Sequence, residues 1–137
     1  MSGEDNKELV RRLFEDVFNG GKLALLDRLI GGAYIEHSPS PNQAPGAAGV
    51  RARIEAMRAA FPDLRFAVEA MVAEEALVAV RYRWQGTHEG PYLGIAPTGR
   101  RLSVRGMEFY RLEGGRVLEH WGIVDEFGML TQLGDLG

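Results

Sequence analysis

The chain has no cysteine among its 137 residues. That excludes disulfide frameworks, thiolate zinc sites and cysteine nucleophiles, and it suits a reducing compartment. Charge of one sign is not in excess: 16 Lys and Arg face 19 Asp and Glu, for a formal net charge of -3. A nucleic-acid binder would carry a basic footprint, so a nucleic-acid partner is not expected. No apolar run approaches the ~18 residues of a membrane span, and the polar start Met1-Ser2-Gly3-Glu4-Asp5 does not read as a signal peptide. A cytoplasmic protein without a membrane partner is therefore expected. Histidine is scarce, at three residues, and tryptophan scarcer, at two. No two histidines stand four apart on a helix and no acidic loop resembles a calcium site, so no metal is expected. No glycine loop leads from a strand into a helix to cradle phosphate, no Gly-x-Ser-x-Gly elbow presents a serine, and no dinucleotide fingerprint is visible. No cofactor is expected.

What is present is an ordinary globular composition, 45% hydrophobic and 26% charged, of a length that suits one domain over 1–137. Leu9, Val10, Leu13, Phe14, Val17 and Phe18 share one helical face, which predicts a helix over 5–19 with Asp5 as N-cap and Glu8 completing a capping box. Gly20-Gly21 stops it. A second helix is expected over 22–30, closed by Gly31-Gly32, then a short strand over 33–37. A Pro-rich loop leads to a third helix over about 47–60, with Val50, Ile54 and Met57 at helical spacing and Phe61-Pro62 as its stop.

From Leu64 the period becomes two. Strands are expected to either side of a Glu74-Glu75 turn, and again over about 102–112 and 116–125, joined by Gly114-Gly115. A loop over 86–101, with four glycines and two prolines, is long enough to suggest function. Helices first and a meander of strands last argue an α+β fold: a strongly curved antiparallel sheet with three N-terminal helices over its concave face and a short C-terminal helix. The concavity is the natural ligand site.

The candidate chemistry gathers at the end of the chain, in Glu119-His120-Trp121-Gly122-Ile123-Val124-Asp125. A carboxylate on a mostly apolar strand must be paired, capped or kept for chemistry. Asp125 is both a candidate acid–base and a candidate N-cap for a helix starting near Glu126. His120 and Asp125 are five apart and face opposite ways on a regular strand. A bulge at Gly122 would bring them to one face. Without it, Asp125 shares its face with Trp121 and Glu108, and His120 lies beside Phe109. His37 and His88 are further imidazoles at a strand end and in the long loop, and Trp84 and Trp121 are candidate walls.

Several pieces together resemble one family. They are Tyr34-Ile35-Glu36-His37 before a Pro-rich loop, Gly86-Thr87-His88 with Gly90, Gly94-Ile95-Ala96-Pro97-Thr98-Gly99-Arg100, Gly114-Gly115-Arg116-Val117 leading to Glu119-His120-Trp121, and Asp125 with Gly128 and Gln132-Leu133-Gly134. The chain is similar to the SnoaL-like polyketide cyclases of the nuclear-transport-factor-2-like superfamily over nearly its whole length. The resemblance implies a cofactor-free, metal-free enzyme that closes a ring by intramolecular aldol chemistry on a hydrophobic, polyketide-like carbonyl compound. Asp125 matches the family's general acid–base and His120 is a candidate for its pocket histidine, although a neighbouring-strand histidine would fall where this chain has Met107, Glu108 and Phe109. His37, Trp84, His88, Glu108 and Trp121 would contact the small hydrophobic molecule. A homodimer through the convex face of the sheet is also implied. The alternatives are a non-catalytic ligand-binding module and an epoxide hydrolase or isomerase of the same superfamily.

Overall fold

The computed structural model describes residues 2–134. Helix α1 spans Gly3–Arg12, and its cap lies three residues earlier than the sequence suggested. Ser2 accepts from the Asp5 amide and Asp5 returns a bond to the Ser2 amide, so Asp5 is the third residue of the capping box, not the cap. The helix continues over Leu13–Asn19 as a π-helical segment, with the Gly20 amide bonded to the Glu15 carbonyl five residues back. The wider turn keeps Phe14 and Phe18 both inward, 4.9 Å apart between ring centres, against Phe66 and Tyr82 of the sheet. Asn19 pins its end, donating to the Phe66 carbonyl and accepting from the Phe66 amide.

A 3₁₀ turn, Leu23–Leu25, and the single-turn α2, Leu26–Leu29, follow. Strand β1 runs Ile30–Glu36, so Gly31-Gly32 opens a strand where a helix end was expected. Helix α3 is Gly46–Ala60. The meander is β2, Arg65–Glu74; β3, Leu77–Thr87; β4, Arg101–Glu113; and β5, Arg116–Val124. Helix α4, Glu126–Leu133, closes on Gly134 in the left-handed conformation.

The five strands form one curved sheet in the order β1-β5-β4-β3-β2. Four of them are antiparallel neighbours, but β1 joins β5 in parallel, so the sheet is mixed where an antiparallel one was expected. Along β3 and β4 the even-numbered residues are buried on the concave face, against α1, α3 and α4. Leu102, Val104, Tyr110 and Leu112 belong to this core, and each buried side chain of this size contributes about 1.5–3 kcal/mol. Glu108 falls in the same inward phase. No helix among the described residues is long and apolar enough to cross a membrane.

The hairpin of β4 and β5 sets the register at the site. Gly114 and Gly115 both take positive φ, 60° and 78°, as a tight two-residue turn demands. Glu113 pairs with Arg116 and Leu112 with Val117, but Arg111 pairs with Glu119, which leaves Leu118 as the extra residue of a bulge. The bulge therefore sits four residues before Gly122. Beyond it the ladder is regular, and Glu108 lies opposite Gly122, Phe109 opposite Trp121, and Tyr110 opposite His120. One extra residue reverses the faces of everything that follows. His120 turns into the concavity, and Trp121 turns out.

Candidate active site

Beneath the helices the concave face encloses a cavity of about 350 Å³. Its walls are largely apolar, with Phe18, Phe66, Trp84 and Met129 among them, while Tyr34, Glu36, Glu108, Tyr110 and His120 make its polar floor.

His120 is the centre of that floor. Its Nδ1 lies 2.5 Å from Glu36 Oε2 and its Nε2 lies 2.6 Å from Glu108 Oε2. All three side chains are close to fully buried, at 7–8% exposure. A carboxylate only accepts, so two such bonds require an N–H on both ring nitrogens, which is the imidazolium. Burial opposes that charge, but the hydrogen bonds the ring donates to Glu108 and Glu36, with the charges of those carboxylates, outweigh it and raise the imidazolium to about 9. For Glu36, burial works to raise the carboxyl, yet the His120 bond and charge, the Tyr34 hydroxyl and the Ser38 amide bring it below the usual range.

The remaining carboxylate oxygens are also held. Tyr34 donates to Glu36 Oε1 at 2.8 Å, and Tyr82 donates to Glu108 Oε1 at 2.7 Å. Burial first, then the neighbouring carboxylates, push both phenols well up, so they remain donors throughout the working range. The Tyr110 ring lies against the His120 ring at 5.0 Å. Its hydroxyl makes no hydrogen bond to a described group. Gly122 completes the floor because the Glu108 carboxylate occupies the space above it: a β-carbon there would sit 1.7 Å from Glu108 Oε2. Its amide meanwhile donates to Ser38 Oγ at 3.0 Å and ties the Pro-rich loop to β5. Glu36 and Glu108 flank opposite nitrogens of one ring, so they do not converge on an ion, and no group of three potential ligands among the described residues is arranged to hold a metal.

Of the residues singled out from sequence, the cavity brings together His120, Glu108 and Trp84. The others lie elsewhere. Asp125 is exposed, follows the last residue of β5, and accepts from the Gly128 amide at 2.9 Å as the N-cap of α4. It does not line the concave cavity. With β5 regular at Gly122, Asp125 and His120 do not share a face, and the bulge at Leu118 gives Glu108 to His120 rather than to Asp125. His37 stacks flat on Trp121 at 4.5 Å on the outer face of the sheet and bonds Glu119, which also pairs with Arg111. Trp121 is thereby outside the cavity. His88 is wholly buried beside Phe61, with Nδ1 held by Thr98, and ties the long loop together without reaching the cavity.

Sequence reasoning missed Glu36, Tyr34, Tyr82 and Tyr110. The signal for the first was present: Glu36 is two residues beyond Tyr34 on a short strand, so the two share a face. In sequence His37 beside it outweighs it, because an imidazole is the commoner acid–base.

A family model for SnoaL-like polyketide cyclases matches residues 8–133. The chain belongs to the SnoaL-like polyketide cyclase family. Solved structures agree with that assignment. TsrD from Streptomyces laurentii superposes with a TM-score of 0.89 at 28% identity, covering 98% of each chain. AclR from Streptomyces galilaeus, described as a candidate hydroxylase, gives 0.87 at 30% identity over 99% of this chain and 89% of its own. IdmH from Streptomyces antibioticus, described as a candidate polyketide cyclase, gives 0.83 at 32% identity over 94% and 98%. No functionally curated protein matches the chain. The helices-over-curved-sheet architecture of this SnoaL-like chain is the family's fold.

Proposed function

We propose that the protein is a cytoplasmic, cofactor-free cyclase that performs intramolecular aldol chemistry on a small hydrophobic carbonyl compound, with Glu108 and His120, rather than Asp125, in the acid–base role. The observation that carries this reading is the buried Glu36–His120–Glu108 array on the floor of an apolar cavity. An acid–base pair held in place and shielded from water is what proton abstraction beside a carbonyl needs.

The Glu108 carboxylate takes a proton from carbon next to a ketone, and the electron pair moves onto the carbonyl oxygen as an enolate. The Tyr110 hydroxyl, unpaired among the described residues, donates to that oxygen. The enolate carbon attacks a second carbonyl of the same molecule, one carbon–carbon bond forms, and the new alkoxide takes a proton from His120. The proton on Glu108 then returns to the imidazole, and Glu36 holds the ring in orientation throughout.

The pH profile tests this. His120 is required as imidazolium, so turnover of candidate β-keto esters should fall as pH rises through about 9. A rate that stays level through that range would remove His120 from the reaction.

A homodimer is part of the same reading. Ile123, Val72, Met107 and Phe109 stand 79%, 66%, 63% and 50% exposed together on the outer face of the sheet. Apolar exposure on this scale marks an interaction surface, and a second copy supplies a matching one. Ile123→Glu should convert the protein to monomer in light scattering; a wild type already monomeric at high concentration would exclude the dimer.

A further inference from the structure

The helix wall of the cavity carries a charge that the acid–base reading does not use. Val50, Arg53, Ile54 and Met57 follow one another at i, i+3, i+4 and i+7 on α3 and all line the cavity. Three are apolar, as an inward stripe should be. The fourth is a half-buried arginine with no carboxylate within 4.0 Å and no hydrogen bond among the described residues. It lines the same cavity as Tyr34, Tyr82, Tyr92 and Tyr110.

The carboxylates lining the cavity do not account for it. Glu36 is satisfied by His120, Tyr34 and the Ser38 amide, and Glu108 by His120 and Tyr82. Glu126, also on the lining, is exposed and forms no ion pair with Arg53. The buried Gln43 side-chain amide, the Arg53 guanidinium and the Tyr92 and Tyr110 hydroxyls line the cavity with donors that have no partner among the described residues. A ligand complementary to them presents acceptors, and a guanidinium pairs best with a planar anion of two oxygens.

We propose that the substrate is an apolar keto acid whose free carboxylate is held by Arg53, rather than the corresponding neutral ester. This rests on the cavity being the substrate site. The two buried carboxylates on the sheet side repel the ligand's carboxylate and Arg53 on the helix side attracts it. The pair of effects turns the molecule so that its carbonyl end meets Glu108 and His120.

The test is calorimetric titration at neutral pH with 2-naphthoate and with methyl 2-naphthoate, which differ in the charge. The acid should bind the wild type about tenfold or more tighter than the ester, as a charge-assisted bidentate pair implies. Arg53→Gln should remove that preference while leaving the ester's affinity unchanged, which also reports an intact cavity, and Arg53→Lys should restore part of it. Equal binding of acid and ester, no binding of naphthoate, or an acid affinity indifferent to Arg53→Gln would overturn the proposal. The catalytic reading fails separately: a protein that prefers naphthoate through Arg53 yet turns over no keto compound keeps the anion site and loses the cyclase.

Discussion

Glu108→Gln should lower turnover by about 10²–10⁴-fold, the usual contribution of a positioned general base, while Asp125→Asn leaves it near wild type. The contrast follows from where the two carboxyl groups stand. Glu108 is buried on the cavity floor with one oxygen on His120 and the other on Tyr82. Glutamine keeps the shape and one acceptor but takes no proton. Asp125 is exposed and bonds the helix it caps. Asparagine caps almost as well, so neither fold nor rate should change. Gly122→Ala approaches the same centre from the backbone: its methyl group would claim the place of Glu108 Oε2, forcing the carboxylate off His120. Its rate should fall toward that of Glu108→Gln. Steady-state kinetics of the three variants on one substrate decide the matter, and loss of turnover in Asp125→Asn with activity retained in Glu108→Gln would reverse the assignment.

His120→Leu should destabilise the protein by about 3–5 kcal/mol near neutral pH, the cost of stripping a buried ion pair of one partner. Leucine fills the volume, but two buried carboxylates then face one another with no cation between them. The deficit should narrow in acid, where carboxylates can protonate. The wild type has the opposite dependence on its alkaline side. The imidazolium is raised to about 9 from an ordinary 6.5, so the folded state holds a proton that the unfolded chain releases between those values. His120 therefore contributes stability in full below about pH 6.5, and that contribution is lost as pH rises through about 9, amounting to something on the order of 3 kcal/mol. Glu36 acts at the other end. Its carboxyl is lowered, so its contribution is present above the ordinary 4.5 and lost as pH falls through its folded value. Urea unfolding across pH measures both limbs. A wild-type alkaline slope that survives in His120→Leu would show that the slope belongs to other groups.

Much of the architecture was legible without coordinates because it rests on period and punctuation. The apolar stripe of Leu13, Phe14, Val17 and Phe18 demands a helix, and the alternation of Val78, Val80, Tyr82 and Trp84 demands a strand with one buried face. The hairpin announced itself at Gly114-Gly115. Local signals failed where two readings compete over a few residues. Gly31-Gly32 reads as a helix stop, yet the pairing of Ile30 and Ile35 with β5 on either side carries both inside β1. Asp5 reads as a cap, yet Ser2 takes that place.

The site was harder because its members come from four strands, and face is a property of register. The sequence by itself determined a helix-covered curved sheet with a ligand-sized concavity, membership of its pattern in one family, and a short inventory of groups able to move a proton, among them His120 and Glu108. Tertiary structure alone decided which of them meet. A single extra residue at Leu118 reverses the phase of β5, because side chains alternate with period two, and this sends His120 inward to Glu108 and Trp121 outward to His37. The parallel pairing of β1 with β5 then brings Glu36, 84 residues away in the chain, to the other nitrogen of the same imidazole.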